Sequence, residues 1–282
     1  MKLFSVNEAH HFCSLFHTSR GSSENSMKNF LNTQLQGKSH TLKEGQPLFF
    51  EFCDLSLREC ERSLFLAISL HRRALEMMIP SASVWAYVTV YYATFFCAKS
   101  LLSMFGCIVE DKNVVDVNVG TPNKQELSFN KINKGQIKTT YTGSHKIFWD
   151  LFYRAVIQLK PQVTPSLAPC LEPVGSDPAW QIDKRNFYNY DTWNAIDLSY
   201  NFQTNFSENA FPASLPGNLR TQYRILEMLL ELTVHFVRDF GVQTDALLKL
   251  NNSRSFDDRI NQEIYQPDSP SLLTKSVICR LF

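Results

Sequence analysis

Glycine is scarce in this sequence, 10 among 282 residues, and none of it forms the glycine-rich loop that cradles a nucleotide phosphate. No GxSxG and no HExxH is present, which excludes the nucleophile elbow and the commonest zinc-protease helix. The seven cysteines, at 13, 53, 60, 97, 107, 170 and 279, make no CxxC, and none has a histidine at metal-ligand spacing. An odd count in a chain this long points to reduced, mostly buried thiols rather than a disulfide framework. Charge of neither sign dominates: 28 basic and 27 acidic residues give a net +1, so any nucleic-acid surface must be a local patch. Long apolar runs are missing as well. The most apolar stretch, Val84 to Ala98, is interrupted by Thr89 and Thr94, holds three tyrosines and is short for a bilayer. The N-terminal residues lack a continuous apolar core, so no secretory signal is expected. These absences predict a cytoplasmic protein with no membrane association, no metal and no cofactor.

What is abundant is phenylalanine, 22 residues, within an ordinary 44% hydrophobic and 20% charged composition. This predicts an aromatic-rich core in a mainly α chain. Residues 5–17 read as a short helix, and 18–46 as a polar loop or arm. Apolar residues recur at three- and four-residue spacing from Pro47 to Met78. Pro80 ends that helix, and the next runs to about Phe105, where Gly106 is a natural stop. It is apolar nearly all round and should be central. Residues 107–143 change character, and Val114–Val119 alternates, which predicts a small β-like or extended insert. Helical periodicity returns over 144–159. A proline-rich linker or surface loop follows over 161–178. A helix over 177–200 and a last strong helix over 219–240 complete the pattern. Three segments result: an N-terminal arm to residue 46, a helical domain over 47–242 and a tail over 243–282.

The chemistry centres on Arg185-Asn186-Phe187-Tyr188-Asn189-Tyr190. An arginine holds a phosphate with a fixed fork of donors, and a titratable ring five positions on would move the proton. That ring is the phenol of Tyr190. An ordinary phenol titrates near ~10, which makes it a poor base at neutral pH. A five-residue step also turns it about 140° from Arg185 on a regular helix. None of the seven histidines follows an arginine at this spacing. His145 is the substitute if the fold brings its helix start to Arg185; otherwise it is only a helix-start residue. Arg185 has its own plain reading, a surface arginine paired with Asp183 or Asp191. Tyr87, Tyr91 and Tyr92 read as packing residues, and His71 as a solvated helix end. Residues 124–146 carry Lys124, Lys131, Lys134, Lys138 and Lys146 against only Glu126. With Phe129 and Tyr141 interleaved, this stretch either follows an RNA backbone, through Lys131, Lys134, Lys138 and Lys146, or is a solvated loop.

The succession of a long helix, a helix carrying Tyr91-Tyr92-Ala93 through Leu101-Leu102, and a later helix carrying Arg185-Asn186 resembles the HEPN superfamily of all-α domains. The resemblance covers roughly residues 48–240, and the chain departs from the family motif where Tyr190 stands in place of histidine. It implies a HEPN-like helical bundle with the insert as an addition. It also implies a place in prokaryotic anti-phage defence or toxin–antitoxin systems, as a hydrolase that cleaves RNA, tRNA included, without metal. Arg185 would then stabilise the phosphorane, Asn186 would orient the backbone or a base, and Tyr190 or His145 would handle the proton. A homodimer, formed through the aromatic helices and the Arg185 helix, and a protein partner from the same defence operon are further implications. The alternatives are a catalytically inactive HEPN-like scaffold or sensor that binds an effector or nucleic acid, and an unrelated helical adaptor.

Overall fold

A computed structural model describes residues 3–14, 26–34, 39–43, 46–109, 113–119, 126–133, 143–174, 177–240 and 242. Among them the chain is mainly α, with eight α-helices: α1 (Val6–Ser14), α2 (Met27–Thr33), α3 (Pro47–Glu76), α4 (Ser83–Met104), α5 (Ser144–Leu159), α6 (Trp180–Tyr190), α7 (Thr192–Asn205) and α8 (Gly217–Asp239). Four short strands, β1 (Ser39–Lys43), β2 (Cys107–Val109), β3 (Asn113–Val119) and β4 (Glu126–Asn133), form one antiparallel sheet in the order β1-β4-β3-β2.

α4 is the centre of the molecule, as its all-round apolarity predicts. It packs against α3 and α8 most extensively and also touches α5, α6 and α7. Its contacts with α3 and α8 include small polar groups that satisfy one another. Ser100 Oγ donates to the Cys60 carbonyl at 2.8 Å, and the Cys97 thiol meets the Thr233 hydroxyl at 3.3 Å. Burial pushes the Cys60 and Cys97 thiols up to about 12, so both are packing groups without nucleophilic character. The other described cysteines, 13, 53, 107 and 170, are buried too.

The helix stops follow local rules. Pro47 occupies the first turn of α3, where its missing N–H costs nothing. Ile79, ahead of Pro80, is extended, as the residue before a proline prefers to be. Gly106 ends α4 at φ +76°, with the Phe4 ring so close that an added Cβ would lie 2.8 Å from it. Phe4 N–H donates to the Phe105 carbonyl at 3.1 Å, which seats the start of the chain on the end of α4.

Four expectations are revised. The polar arm over 18–46 contains α2, with Met27, Phe30 and Leu31 in the core, and also β1, which pairs with β4 at the edge of the insert. The proline-rich stretch is not merely a surface loop, since its 168–174 turn buries Cys170 and Leu171 and packs on α8. The single helix expected over 177–200 is two. Asp191 leaves the helical region (φ −109°, ψ 110°), and its carboxylate accepts from the amides of Trp193 and Asn194, which caps α7. His71 is not a solvated helix end. It is buried between α3 and α8, 3.0 Å from the Tyr223 hydroxyl, which donates to Glu227. Burial lowers its pKa to about 3, so it is neutral.

Candidate functional site

Three elements place the candidate residues: α4, the start of α5, and α6. α6 is held by residues four and seven apart. Gln222 Nε2 donates to Gln181 Oε1 at 2.9 Å and to Thr94 Oγ1 at 3.0 Å, which ties α8 to both α6 and α4. Tyr188 packs against Tyr87 with ring centroids 4.7 Å apart and the planes tilted by 52°, and its hydroxyl accepts from Asn218 at 2.7 Å. Gln181, Arg185 and Tyr188 therefore form one stripe of α6, at i, i+4 and i+7, turned towards α4.

Arg185 lands on the two tyrosines that the sequence assigns to packing. Its guanidinium carbon lies 5.2 Å from the centroid of the Tyr91 ring and 5.8 Å from that of Tyr92, both cation–π distances. Its Nε is buried with no hydrogen-bond partner among the described residues. The paired-arginine reading fails on its two proposed partners. Asp183 meets Lys146 at 2.7 Å, and Asp191 caps α7.

His145 comes to the same place. Its Nδ1 is 2.8 Å from the Tyr91 hydroxyl, and its ring stacks on Phe95 at 4.9 Å. The Trp149 indole N–H donates to the same hydroxyl at 3.3 Å. Burial pushes the Tyr91 phenol up to about 12, against the opposing effects of Trp149 and of Arg185, so it stays protonated at neutral pH. The arrangement is a guanidinium and an imidazole joined through one buried phenol.

Asn186 is half-buried beside Arg185. Tyr190 is elsewhere: on the last residue of α6 it is 74% exposed, on the opposite side of the helix from Arg185, as the five-residue step requires. Lys146 ion-pairs with Asp183 and thereby fastens the start of α5 to α6, beside the Arg185–His145 cluster. Lys131 lies on β4 opposite Val115, and Lys124, Lys134, Lys138 and Tyr141 fall outside the described residues.

Sequence reasoning missed Tyr91 and Trp149 as site residues. A hydroxyl in the middle of an otherwise apolar helix was the available signal for Tyr91. Trp149, one helical turn beyond His145, gave none beyond its spacing. Among the described residues no group of three or more His, Cys, Asp or Glu is placed to hold a metal, and no helix is long and apolar enough to cross a membrane. A polar cleft of about 630 Å³ lies behind Tyr188, between α7 and the start of α8, lined by Asp197, Asn201, Ser214, Asn218 and Arg220. No protein-family model, no curated protein and no solved structure matches this chain.

Proposed function

We propose that this chain is a HEPN-like component of a prokaryotic anti-phage defence or toxin–antitoxin system, and that its Arg185–His145 cluster handles an RNA phosphate. One observation carries this reading: a guanidinium and an imidazole from separate helices meet on the same tyrosine. In metal-independent cleavage a ribose 2′-OH attacks the adjacent phosphate and negative charge builds on its oxygens. Arg185 would stabilise that charge, and His145, in place of Tyr190, would be the ring beside the reacting group. Neither residue needs a cofactor for this role.

The catalytically inactive scaffold is the second reading, favoured by Tyr190. The position that the motif reserves for an imidazole is a phenol turned to solvent. Under this reading the cluster binds RNA, or a partner effector, without cutting.

RNA recovered from an induced bacterial culture tests both. Cleavage that Arg185→Ala and His145→Ala abolish and Tyr190→Phe spares supports the endoribonuclease. RNA binding without cleavage, lost in Arg185→Ala, supports the scaffold. Neither cleavage nor binding by the folded protein removes the RNA role.

Self-association belongs to this reading. Tyr87 and Tyr91 of α4 are covered within the chain, so the aromatic surface left for a second copy is on α6 and α7. Tyr190, Trp193, Ile196 and Tyr200 are each more than half exposed, as is Trp85 of α4. Large side chains bring about 150–250 Å² each, so these approach the ~800 Å² per partner of a standard interface. A dimer seen by light scattering, and dispersed by Trp193→Ser with Tyr200→Ser, is the expected result. A wild-type monomer at micromolar concentration overturns it.

A further inference from the structure

The cleft between α7 and the start of α8, about 630 Å³ in volume, has a wall of one chemical character on each side. Asp197, Asn201 and Asn205 line it from α7 at i, i+4 and i+8, steps of about 6 Å along the helix. Asn218 and Arg220 line it from the first turn of α8. The hydrogen bonds within the wall decide which atoms remain for a ligand. Asn201 Nδ2 donates to the Asp197 carbonyl at 2.9 Å, and Asn205 Nδ2 to the Asn201 carbonyl at 3.0 Å. A carbonyl only accepts, so each amide must present its nitrogen there, and each Oδ1 stays an unspent acceptor. Arg220 spends one Nη1 hydrogen on the Ala213 carbonyl at 3.1 Å and keeps the rest of its donor fork. The Asp197 carboxylate has no hydrogen bond or ion pair among the described residues. Asp197 and Arg220 are the two charged residues of the lining, and they do not pair with each other.

We propose that this cleft binds a zwitterionic amino acid whose side chain carries hydrogen-bond donors. Arg220 takes the α-carboxylate, Asp197 takes the α-ammonium, and the Asn201 and Asn205 oxygens accept from the side chain. Three features select this class. Opposite charges that share a cleft without meeting leave a gap, and a molecule bringing an anion to one and a cation to the other fills it. The guanidinium fork matches a carboxylate in two parallel bonds. The lining is neutral in sum, so a phosphate dianion at Arg220 would face the uncompensated Asp197 carboxylate, whereas a zwitterion meets both charges. The volume lies within the range of small-molecule sites and leaves room for a long side chain beyond the α-carbon. The cleft is lined by none of Tyr91, His145 or Arg185, so this site stands whether or not the RNA reading holds.

The test is saturation-transfer NMR on the full chain with L-glutamine, L-asparagine, L-arginine and L-lysine as separate probes, followed by calorimetric titration of the tightest. Binding of at least one is expected. Asp197→Asn and Arg220→Gln should each weaken it by about tenfold or more, the scale of a lost hydrogen bond to a charged group. Both side chains are exposed, so both variants should keep the wild-type circular dichroism and unfolding midpoint. Two derivatives of the bound amino acid assign the roles. The α-carboxamide should bind the wild type as weakly as the parent binds Arg220→Gln, and Arg220→Gln should weaken it no further. The N-acetyl derivative should show the same relation with Asp197→Asn. No binding of any of the four probes at millimolar concentration by the folded protein overturns the proposal, as does binding that both variants leave unchanged. Binding of inorganic phosphate in place of the amino acids, strengthened in Asp197→Asn, makes the cleft an anion site and overturns it as well.

Discussion

The guanidinium carbon of Arg185 lies 5.2 Å from the centre of the Tyr91 ring, on a helix that reaches α4 more than ninety residues later in the chain. The contact pre-orders the arginine while its fork of donors keeps its hydrogen-bonding capacity. Arg185→Ala is expected to weaken RNA binding by about tenfold to a hundredfold, the range for a charge-assisted contact. Arg185→Lys should recover little, since a point charge restores neither the planar stack nor the fork. Filter binding at a stated salt concentration measures both. Thermal unfolding should fall modestly, because a half-buried cation–π contact is worth about 0.5–2 kcal/mol.

Tyr190→Phe is expected to leave RNA binding and stability within error of the wild type. Its side chain is 74% exposed and faces away from Arg185. The same assay, run beside Arg185→Ala, checks this. A loss as large as that of Arg185→Ala would return the phenol to the site.

Gly106→Ala should destabilise the fold by about 1–3 kcal/mol, read from urea unfolding. Two effects add: a left-handed φ of +76° and a new Cβ at 2.8 Å from the Phe4 ring. Phe4→Leu in the same background should restore part of the loss by removing the clash, leaving the backbone cost.

Acid should weaken the fold through His71. Its folded pKa, about 3, lies below the unfolded value near 6.5, so the folded state prefers the neutral ring. This contribution is fully present above pH 6.5 and is lost as pH falls from there towards 3, by roughly 1 kcal/mol per unit. Urea midpoints at pH 7 and pH 5 measure it. In His71→Gln, which keeps a polar group beside Tyr223, the difference should shrink by roughly that amount per unit.

Asp191→Ala should cost about 1 kcal/mol by uncapping α7, whose first amides its carboxylate accepts. Asp191→Asn should keep most of that stability. Loss of helical content on heating, followed by circular dichroism, distinguishes the two.

The helices were legible because burying one face of a helix imposes a period of 3.6 on the sequence. The bounds of α3, α4, α5 and α8 fall within two or three residues of that reading. The stops at Pro80 and Gly106 are local events, set by a missing N–H and by a positive φ. The junction at Asp191 was not legible, although it too is local. The apolar spacing continues across it, and a capping aspartate looks the same as a solvated one until the chain direction changes. β1 was hidden for another reason. Five mostly polar residues become a strand only by pairing with β4, some ninety positions away.

The candidate site divides along the same line. The sequence alone determined that Arg185 and Tyr190 do not share a face of a regular helix, because helix geometry fixes the angle between them. It also supplied Arg185 and His145 as candidates from their chemistry. Only the tertiary structure decided that they meet, and that Tyr91 joins them. That meeting depends on α5 and α6 docking on the same stretch of α4, through Trp149 and Phe95 on one side and Tyr188 and Tyr87 on the other, with Gln222 of α8 bridging Gln181 to Thr94. Such docking is the outcome of many side-chain contacts at once, and no periodicity within a single segment carries it. The fate of His71 has the same cause. Its neighbours in sequence, Arg72 and Arg73, suggest water, and the face of α8 that covers it comes from 152 residues away.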